Sequence, residues 1–347
     1  MKNLICIISI IFFYIPYVTG NVHNSSNDME GNGKKVKMIL DADVGIDDAM
    51  ALAYALGSPD IELIGVTAIY GNASTETGVR NTLDLLSLLN REDIPVYAGA
   101  LHSYSSETVF HPNKGSRRIH GDNGVGDVKL PISNKKVEKQ NAADFIVESA
   151  RKYGKELVIV AVGPMTNLAD AIKKEPDLKN MVGNIVIMGG ALTVPGNVSM
   201  LAEANIHQDP VAANYLFTSG TPITMVGLDV TLRALLPKED TKKWRDLGTA
   251  SGIAFADIVD FYIEAYRPLP GCALHDPLAV AVAVQPDLVQ TIPLFMVVGT
   301  KEDWGRTIGD KTKLLEPNPN MKVAVNVDHK KFVADFNKVL IELFKKN

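Results

Sequence analysis

The stretch from Val36 to Met50 constrains the fold of this chain more than any other. An apolar run that ends at Leu40 leads directly into four aspartates, and residues 49–56 then have the composition of a helix; the aspartates are Asp41, Asp43, Asp47 and Asp48. A strand, a tight turn and a helix in this order are typical of a parallel sheet with helical connections. The acids are then expected at the carboxyl edge of the sheet, where open α/β folds bind their ligands.

Four carboxylates this close together repel one another, so some would hold protons unless a cation lies between them. Oxygen ligands of this kind suit calcium or magnesium. A simpler alternative is a solvated acidic turn that caps the helix. An EF-hand is excluded, because Ile46 and Leu52 stand where a loop beginning at Asp41 needs Gly and Glu.

A second alternative is a magnesium phosphatase of the haloacid-dehalogenase type. In that case Asp41 would be the nucleophile and Asp43 its partner. Such an enzyme also needs a later acidic pair, which Asp122 and Asp127 imitate. That pair follows Arg117, Arg118 and His120 rather than an apolar strand, so the match is incomplete.

The rest of the chain alternates apolar strands with helical stretches, which predicts a doubly wound, Rossmann-like α/β fold. We expect one domain over residues 36–347, with a mainly parallel sheet flanked by helices. A helix is predicted over residues 142–153, and strands are predicted over residues 184–188, 292–298 and 321–327. Residues 100–135 show no clear period and are predicted to form a long loop. The net charge of −5 and the lack of a basic block argue against a nucleic-acid partner.

The first twenty residues have the pattern of a secretory signal peptide. A lysine precedes an apolar run, residues 4–13, that is too short to span a bilayer, and small residues follow at 18–20. The alternative is an N-terminal anchor. Residues 21–35 are polar and are predicted to be a flexible lead-in with a glycosylation acceptor at Asn24. We therefore expect a secreted protein that is free of the membrane after signal cleavage.

Two later stretches add polar groups at predicted strand ends. Asn197, Glu203 and Asn205 lie in a Gly-rich loop and offer the donors and acceptors that a polyol needs. His275 and Asp276 precede a proline at a predicted helix start, where Asp is also a common cap. The alternative for the first stretch is a surface loop with turn-forming Asn and Gly, and the stretch alone does not decide between this loop and a sugar-binding site. A cap at Asp276 is compatible with a role at the sheet edge.

Taken together, these stretches resemble the nucleoside hydrolases of the inosine–uridine type, which are calcium-dependent N-ribohydrolases. The matching stretches occur in the family's order over about residues 36–328: Asp41–Asp48, Tyr70–Asn72, Ile119–Gly124, Gly163–Asn167, Met188–Gly190, Gly196–Asn197, Glu203–Asn205 and His275–Pro277. Each stretch is weak alone, but the ordered set is specific. The resemblance implies hydrolysis of the N-glycosidic bond of ribonucleosides to free base and ribose.

The resemblance also implies a role for each matching position. Calcium would be bound by the side chains of Asp43, Asp48 and Asp276 and by the main-chain carbonyl of Thr166. A second set would hold the ribose: Asp47, Asn72, Asn197, Glu203 and Asn205. Asp43 would be the general base for a calcium-bound water, and His275 would protonate the departing base. Because relatives form dimers or tetramers, a homo-oligomer is expected.

The resemblance leaves the preferred base open. Purine-specific relatives carry a tryptophan at the position of His275, and Ala204 replaces an aromatic that is common in the family. We expect activity on purine or general ribonucleosides, with inosine as the typical substrate. Candidate base contacts are Tyr70, Phe110, His111, Tyr262 and Tyr266. A further alternative is a secreted protein that binds nucleosides without turnover, which the intact acids and His275 argue against.

Overall fold

Short apolar runs form the strands in the part of the chain that the computed structural model describes, residues 35–347. The signal peptide predicted at 1–20 and, except for Lys35, the lead-in predicted at 21–35 lie outside the described residues. The strands are β1 Val36–Ala42, β2 Ile61–Ala68, β3 Val96–Ala98, β4 Leu157–Ala161, β5 Asn184–Met188, β6 Ile223–Val226, β7 Leu235–Pro237, β8 Gly271–Ala273, β9 Val289–Leu294, β10 Met296–Val298, β11 Thr307–Gly309 and β12 Met321–Val327.

Eight of these strands form one sheet, in the order β3-β2-β1-β4-β5-β6-β12-β9. Every neighbouring pair is parallel except β12 and the edge strand β9. The pairs β7-β8 and β10-β11 form two small antiparallel sheets. The order 3-2-1-4-5-6 is that of a doubly wound dinucleotide-binding sheet. The predicted fold class is therefore confirmed.

Helices cover both faces of the sheet. They are α1 Ile46–Gly57, α2 Thr75–Leu88, α3 Lys114–His120, α4 Ala142–Tyr153, α5 Thr166–Lys174, α6 Leu178–Met181, α7 Ala204–Gln208, α8 Pro210–Thr218, α9 Leu228–Thr231, α10 Lys238–Arg245, α11 Ala250–Ala265, α12 His275–Val284 and α13 His329–Phe344. Met38 and Leu40 of β1 join the core beneath α1, α12 and α13, whereas Ile39 joins the core beneath α4, α5 and α8. This alternation follows from the two-residue period of a strand, and both faces must be apolar because both are covered.

The strand order reverses beside β1, and this reversal positions the site. β1 pairs with β2 on one side and with β4 on the other. The connections that leave these strands therefore diverge and open a crevice at their carboxyl ends. The acidic residues after β1, Tyr70–Asn72 after β2 and Gly163–Asn167 after β4 all lie at this edge.

Two predicted elements differ from the structure. The region 100–135, predicted to be one long loop, contains α3, and the strand predicted at 292–298 is divided at Phe295 into β9 and β10 of different sheets. A helix of seven residues is too short to give a clear period, and its start depends on the Asn113 cap, which accepts the Ser116 N–H at 3.0 Å. Among residues 35–347, no helix is long and apolar enough to cross a membrane.

Candidate active site

The aspartates after β1 are placed by the turn that begins α1. The backbone N–H groups of Asp43 and Gly45 donate to the Asp48 carboxylate at 3.1 and 2.8 Å. Asp48 therefore has the capping role that the sequence suggested. The turn is not a solvated one, however, because all of its carboxylates are buried: Asp41, Asp43, Asp47 and Asp48.

Asp47, Asp48 and Asp276 form a carboxylate cluster in which one oxygen from each residue lies within 4.8 Å of the others. Oδ1 of Asp47 and Oδ2 of Asp276 are buried and accept no hydrogen bond from residues 35–347. Burial and neighbouring negative charge raise the pKa of Asp276 well above its ordinary value and the pKa of Asp48 to about 7. A divalent cation would partner Oδ2 of Asp276 and relieve the repulsion among the three carboxylates, so the cluster fits a metal with a preference for oxygen ligands.

Asp43 lies beside the carboxylate cluster and is held by Asn72. Its carboxylate accepts the backbone N–H of Asn72 at 2.6 Å and the side-chain amide at 3.2 Å, and the same amide donates to Asp48 at 3.0 Å. Burial, and then the charges of Asp48 and Asp47, raise the pKa of Asp43 well above its usual range. A raised pKa makes a carboxylate a stronger proton acceptor, as a general base requires.

Gly71 allows the loop after β2 to approach Asp43. A Cβ atom at position 71 would lie 1.8 Å from Asp43 Oδ2. We predict that Gly71→Ala displaces this carboxylate and lowers kcat/KM by about 100-fold for the reaction that the resemblance implies, the release of ribose. Gly78→Ala is the control, since its added Cβ would meet its nearest neighbour at 3.7 Å. Equal kcat/KM values for the two variants would contradict the role of this close contact.

Thr166 begins α5 directly after β4. Its hydroxyl lies 2.8 Å from the hydroxyl of Tyr70 and 2.8 Å from the carboxylate of Asp209. The side chain is therefore engaged within the protein. This arrangement is compatible with the resemblance, which assigns the main-chain carbonyl of Thr166 to the metal rather than the hydroxyl.

The segment after β5 carries three of the five residues predicted to hold the sugar: Asn197, Glu203 and Asn205. Glu203 is buried and accepts three backbone N–H groups at 2.9, 3.0 and 3.2 Å. Burial raises the pKa of Glu203 to about 7. Asn205 donates its side-chain amide to the carbonyls of Val162 and Met188, at the ends of β4 and β5. Asn197 is the exposed member of the set, and its side-chain oxygen accepts the Ala204 N–H at 2.9 Å.

His275 begins α12, next to Asp276, and hydroxyl groups face both of its ring nitrogens. Nδ1 lies 2.8 Å from the Thr231 hydroxyl, and Nε2 lies 2.9 Å from the Tyr266 hydroxyl. The Tyr266 hydroxyl is in turn 3.3 Å from that of Tyr262. Burial lowers the pKa of His275 below its ordinary value. A chain of exchangeable protons therefore runs from His275 to the tyrosines of α11.

Residues 38–334 match the profile of the inosine-uridine preferring nucleoside hydrolase family. The chain belongs to this family. The solved structure of a purine-preferring ribonucleoside hydrolase from Gardnerella vaginalis is 52% identical in sequence, with a TM-score of 0.88, and the match covers 90% of this chain and 100% of that one. A plant nucleoside hydrolase, PpNRh1, is 34% identical with a TM-score of 0.82, over 88% of this chain and 98% of that one.

Among curated proteins, the pyrimidine-specific ribonucleoside hydrolase RihA of Shigella boydii is 36% identical over 302 residues. That match covers 85% of this chain and 95% of the relative. The predicted family is thus confirmed, and this nucleoside hydrolase is an enzyme that cleaves N-glycosidic bonds. Because the relatives differ in base preference, the family alone does not assign the base.

The alternative of a haloacid-dehalogenase phosphatase fails on the family and on Asp41. This aspartate is fully buried and accepts hydrogen bonds from Thr67 and Asn167, so it supports the sheet edge rather than presenting a nucleophile. Asp127 accepts the backbone N–H of Asp122 at 2.7 Å. It therefore fixes a local turn and is not part of a second acidic pair.

His120 is a residue of this nucleoside hydrolase to which the sequence assigned no role. It ends α3, is buried, and accepts the Ile46 N–H through Nδ1 at 3.1 Å, so its neutral ring carries the proton on Nε2. The same Nδ1 is 3.9 Å from the Asp47 carboxylate. The only sequence signal was the family stretch Ile119–Gly124, because the contact with Ile46 spans 74 positions.

The candidate base contacts fall into two groups. The rings of Tyr70 and Phe110 are in contact, with centroids 5.4 Å apart. Tyr262 and Tyr266 accompany His275, whereas His111 is exposed. The structure therefore brings two tyrosines next to His275, the predicted proton donor, and His111 lies on the surface.

Proposed function

We propose that this enzyme is a calcium-dependent hydrolase of purine ribonucleosides such as inosine, with free base and ribose as products. The observation that carries the proposal is the convergence of Asp43, the carboxylate cluster and His275 at one sheet edge. Positive charge builds on the ribose ring as the glycosidic bond breaks, and buried carboxylates stabilise it. Proton acceptor and proton donor are thus available on the same site.

The metal would be held by the side chains of Asp43, Asp48 and Asp276, together with the carbonyl of Thr166. Carboxylate and carbonyl oxygens favour calcium or magnesium over softer metals, and a set drawn from several segments suits the flexible coordination of calcium. When bound, calcium would orient a water molecule and the ribose hydroxyls. The unpartnered Oδ1 of Asp47 is then free to accept a hydroxyl of the sugar.

Asp43 is proposed to take the proton from the attacking water. The water oxygen forms a bond to C1′ of the ribose while the bond from C1′ to the base nitrogen breaks. The proton of the water passes to the Asp43 carboxylate, which the two N–H donors of Asn72 hold in place. The ribose is held on its other side by Asn197, Glu203 and Asn205.

His275 is proposed to supply the proton that the departing base needs. Its Nε2 faces the Tyr266 hydroxyl, so the proton reaches the base through that hydroxyl. The Tyr266 proton passes to the base nitrogen, and the Tyr266 oxygen takes the Nε2 proton of a His275 imidazolium, which becomes neutral. This route needs a tyrosine at position 266.

The Tyr266→Phe substitution removes the hydroxyl that this route requires. We expect kcat for inosine to fall by about 100-fold, the lower end of the effect of a general acid. Hydrolysis of p-nitrophenyl riboside is expected to be nearly unchanged, because its phenolate leaves without a proton. Tyr54→Phe is the control, since this buried tyrosine donates to Asp335 in another part of the molecule. If kcat falls equally for both substrates, Tyr266 acts on the ribose rather than on the departing base, and the proposed proton route is wrong.

The preference for purines is supported by the 52% identity to the purine-preferring relative, compared with 36% to the pyrimidine-specific one. A direct test measures ribose release from inosine, adenosine, guanosine, uridine and cytidine in phosphate-free buffer. We expect higher kcat/KM values for the three purine nucleosides. Higher values for uridine and cytidine would refute the proposed preference and leave the hydrolase assignment intact.

Secretion and self-association are further parts of the proposal. Secretion rests on the pattern of residues 1–20, and self-association rests on the oligomers known for the resembling family. N-terminal sequencing of protein recovered outside the producing cell, and light scattering of the purified protein, test the two parts separately.

A further inference from the structure

Asp209 is a fully buried carboxylate that the mechanism above does not use. Its Oδ2 atom accepts the Thr166 hydroxyl at 2.8 Å, the Tyr104 N–H at 3.0 Å and the Tyr70 hydroxyl at 3.4 Å. Its Oδ1 atom accepts the Ala212 N–H at 3.0 Å and so caps α8. No ion pair within residues 35–347 includes Asp209, so its side chain is held by hydrogen bonds alone.

The three donors to Oδ2 come from three segments at the carboxyl edge of the sheet. Thr166 begins α5, and Tyr70 follows β2, two residues before Asn72, which holds Asp43. Tyr104 belongs to the loop after β3. Its own hydroxyl donates to Asp170 of α5 at 2.6 Å. Oδ2 of Asp209 thus links two parts of the site. One is the loop that holds Asp43, the proposed general base, and the other is the turn whose Thr166 carbonyl is proposed to bind the metal.

This junction is close to the proposed metal site. The Thr166 hydroxyl belongs to the residue whose carbonyl is a proposed metal ligand, and it donates directly to Asp209 and lies 2.8 Å from the Tyr70 hydroxyl. Removal of this buried acceptor leaves the Tyr104 N–H unpartnered, and it also strands one of the two hydroxyl protons of Thr166 and Tyr70, because the remaining 2.8 Å contact between these hydroxyls uses only one proton. Displacement of Thr166 moves its carbonyl, because hydroxyl and carbonyl belong to one residue at a helix start.

We propose that Asp209 is a positioning residue for the metal site, acting through Thr166 and Tyr70. It touches neither the metal nor the nucleoside. The inference rests on the proposed function, since it takes calcium as the ion and the Thr166 carbonyl as one ligand. Groups that hold metal ligands in place commonly change metal affinity by about 10–100-fold when they are replaced.

Two substitutions at position 209 separate this role from the helix cap. In Asp209→Asn, the amide oxygen can occupy the place of Oδ2 and keep all three donors, while the amide nitrogen faces the Ala212 N–H and loses the cap. Asp209→Ala removes both the acceptor for these donors and the cap of α8. Asp328→Ala removes a cap from α13, where Asp328 accepts the Lys331 N–H at 3.1 Å, and measures the effect of cap loss alone.

The experiment measures the calcium dissociation constant of the full chain by competition with a calcium-binding dye, with Tm recorded for each metal-free variant. We expect Asp209→Ala to weaken calcium binding by about tenfold or more. Asp209→Asn and Asp328→Ala are expected to stay within about threefold of wild type, and Asp209→Asn to recover most of the kcat that Asp209→Ala loses.

If Asp209→Ala binds calcium with wild-type affinity, the inference is overturned. It is also overturned if Asp209→Asn and Asp209→Ala weaken calcium binding equally. If Asp209→Ala does not fold, Thr166→Val provides the test, because it removes one donor to Oδ2 and retains the carbonyl. Unchanged calcium binding in Thr166→Val would then overturn the inference. A wild-type protein that binds no calcium and releases no ribose would instead reject the proposed function, and this inference with it.

Discussion

The Asp43→Asn variant is expected to fold normally and to release ribose from inosine about a thousandfold more slowly than wild type, within the range for loss of a general base. The amide retains the size of the carboxylate and one oxygen to accept the Asn72 N–H, which is 2.6 Å away in wild type. It cannot take a proton from water, and because the substitution also changes a proposed calcium ligand, kcat is measured at a calcium concentration that saturates the variant. The loss is therefore expected in kcat, with a smaller change in KM.

Asp84→Asn is the matched control for this substitution. Asp84 is also buried and also accepts a backbone N–H, from Ser133 at 2.7 Å, but it pairs with Arg80 on α2. Loss of the Asp84 carboxylate should lower Tm and leave kcat close to that of the wild type. If Asp43→Asn kept more than about a tenth of wild-type kcat, a role as general base could not be maintained.

Asp276→Asn is expected to change activity and stability in opposite directions. It removes one charge from the carboxylate cluster, so calcium affinity and ribose release should both fall by more than about 100-fold. The metal-free variant should melt at a higher temperature than the metal-free wild type, because less buried like charge remains. The rise in Tm that calcium gives the wild type should disappear, since that rise depends on binding to the folded state.

Differential scanning calorimetry with calcium or with a chelator measures both effects. Asp240→Asn is the control: Asp240 is buried on α10 and pairs with Lys243 at 2.7 Å, away from the carboxylate cluster. Its calcium-induced rise in Tm should equal that of the wild type. A full calcium-induced rise in Asp276→Asn would show that Asp276 is not a ligand.

The sequence was most informative where local pattern and tertiary role agree. The bounds predicted for Ala142–Tyr153, Asn184–Met188 and Met321–Val327 match the structure, because each has a clear apolar period and a definite end. The short helices α7 and α9 were not predicted. They have five and four residues, too few for a period, and α7 depends on backbone N–H groups that donate to Glu203.

The candidate site could be predicted as a set of residues but not as an arrangement. Family stretches identified Asp48 and Asp276, and the structure brings their oxygens together with that of Asp47, which had been assigned to the ribose alone. The contacts of His120 with Ile46 and of Asp209 with Thr166 join residues 74 and 43 positions apart. Such contacts depend on how the strands are ordered in the sheet, and no local pattern encodes them.

Calcium-dependent ribose release is the measurement that tests the central claim most directly. The purified protein is incubated with inosine in phosphate-free buffer, with calcium or with a chelator in excess, and free ribose is measured over time. We predict release in calcium, its loss in the chelator and its recovery when calcium is added back. Release that continues unchanged in the chelator would contradict a metal-dependent site, and no release under any condition from folded protein would contradict the proposed reaction itself.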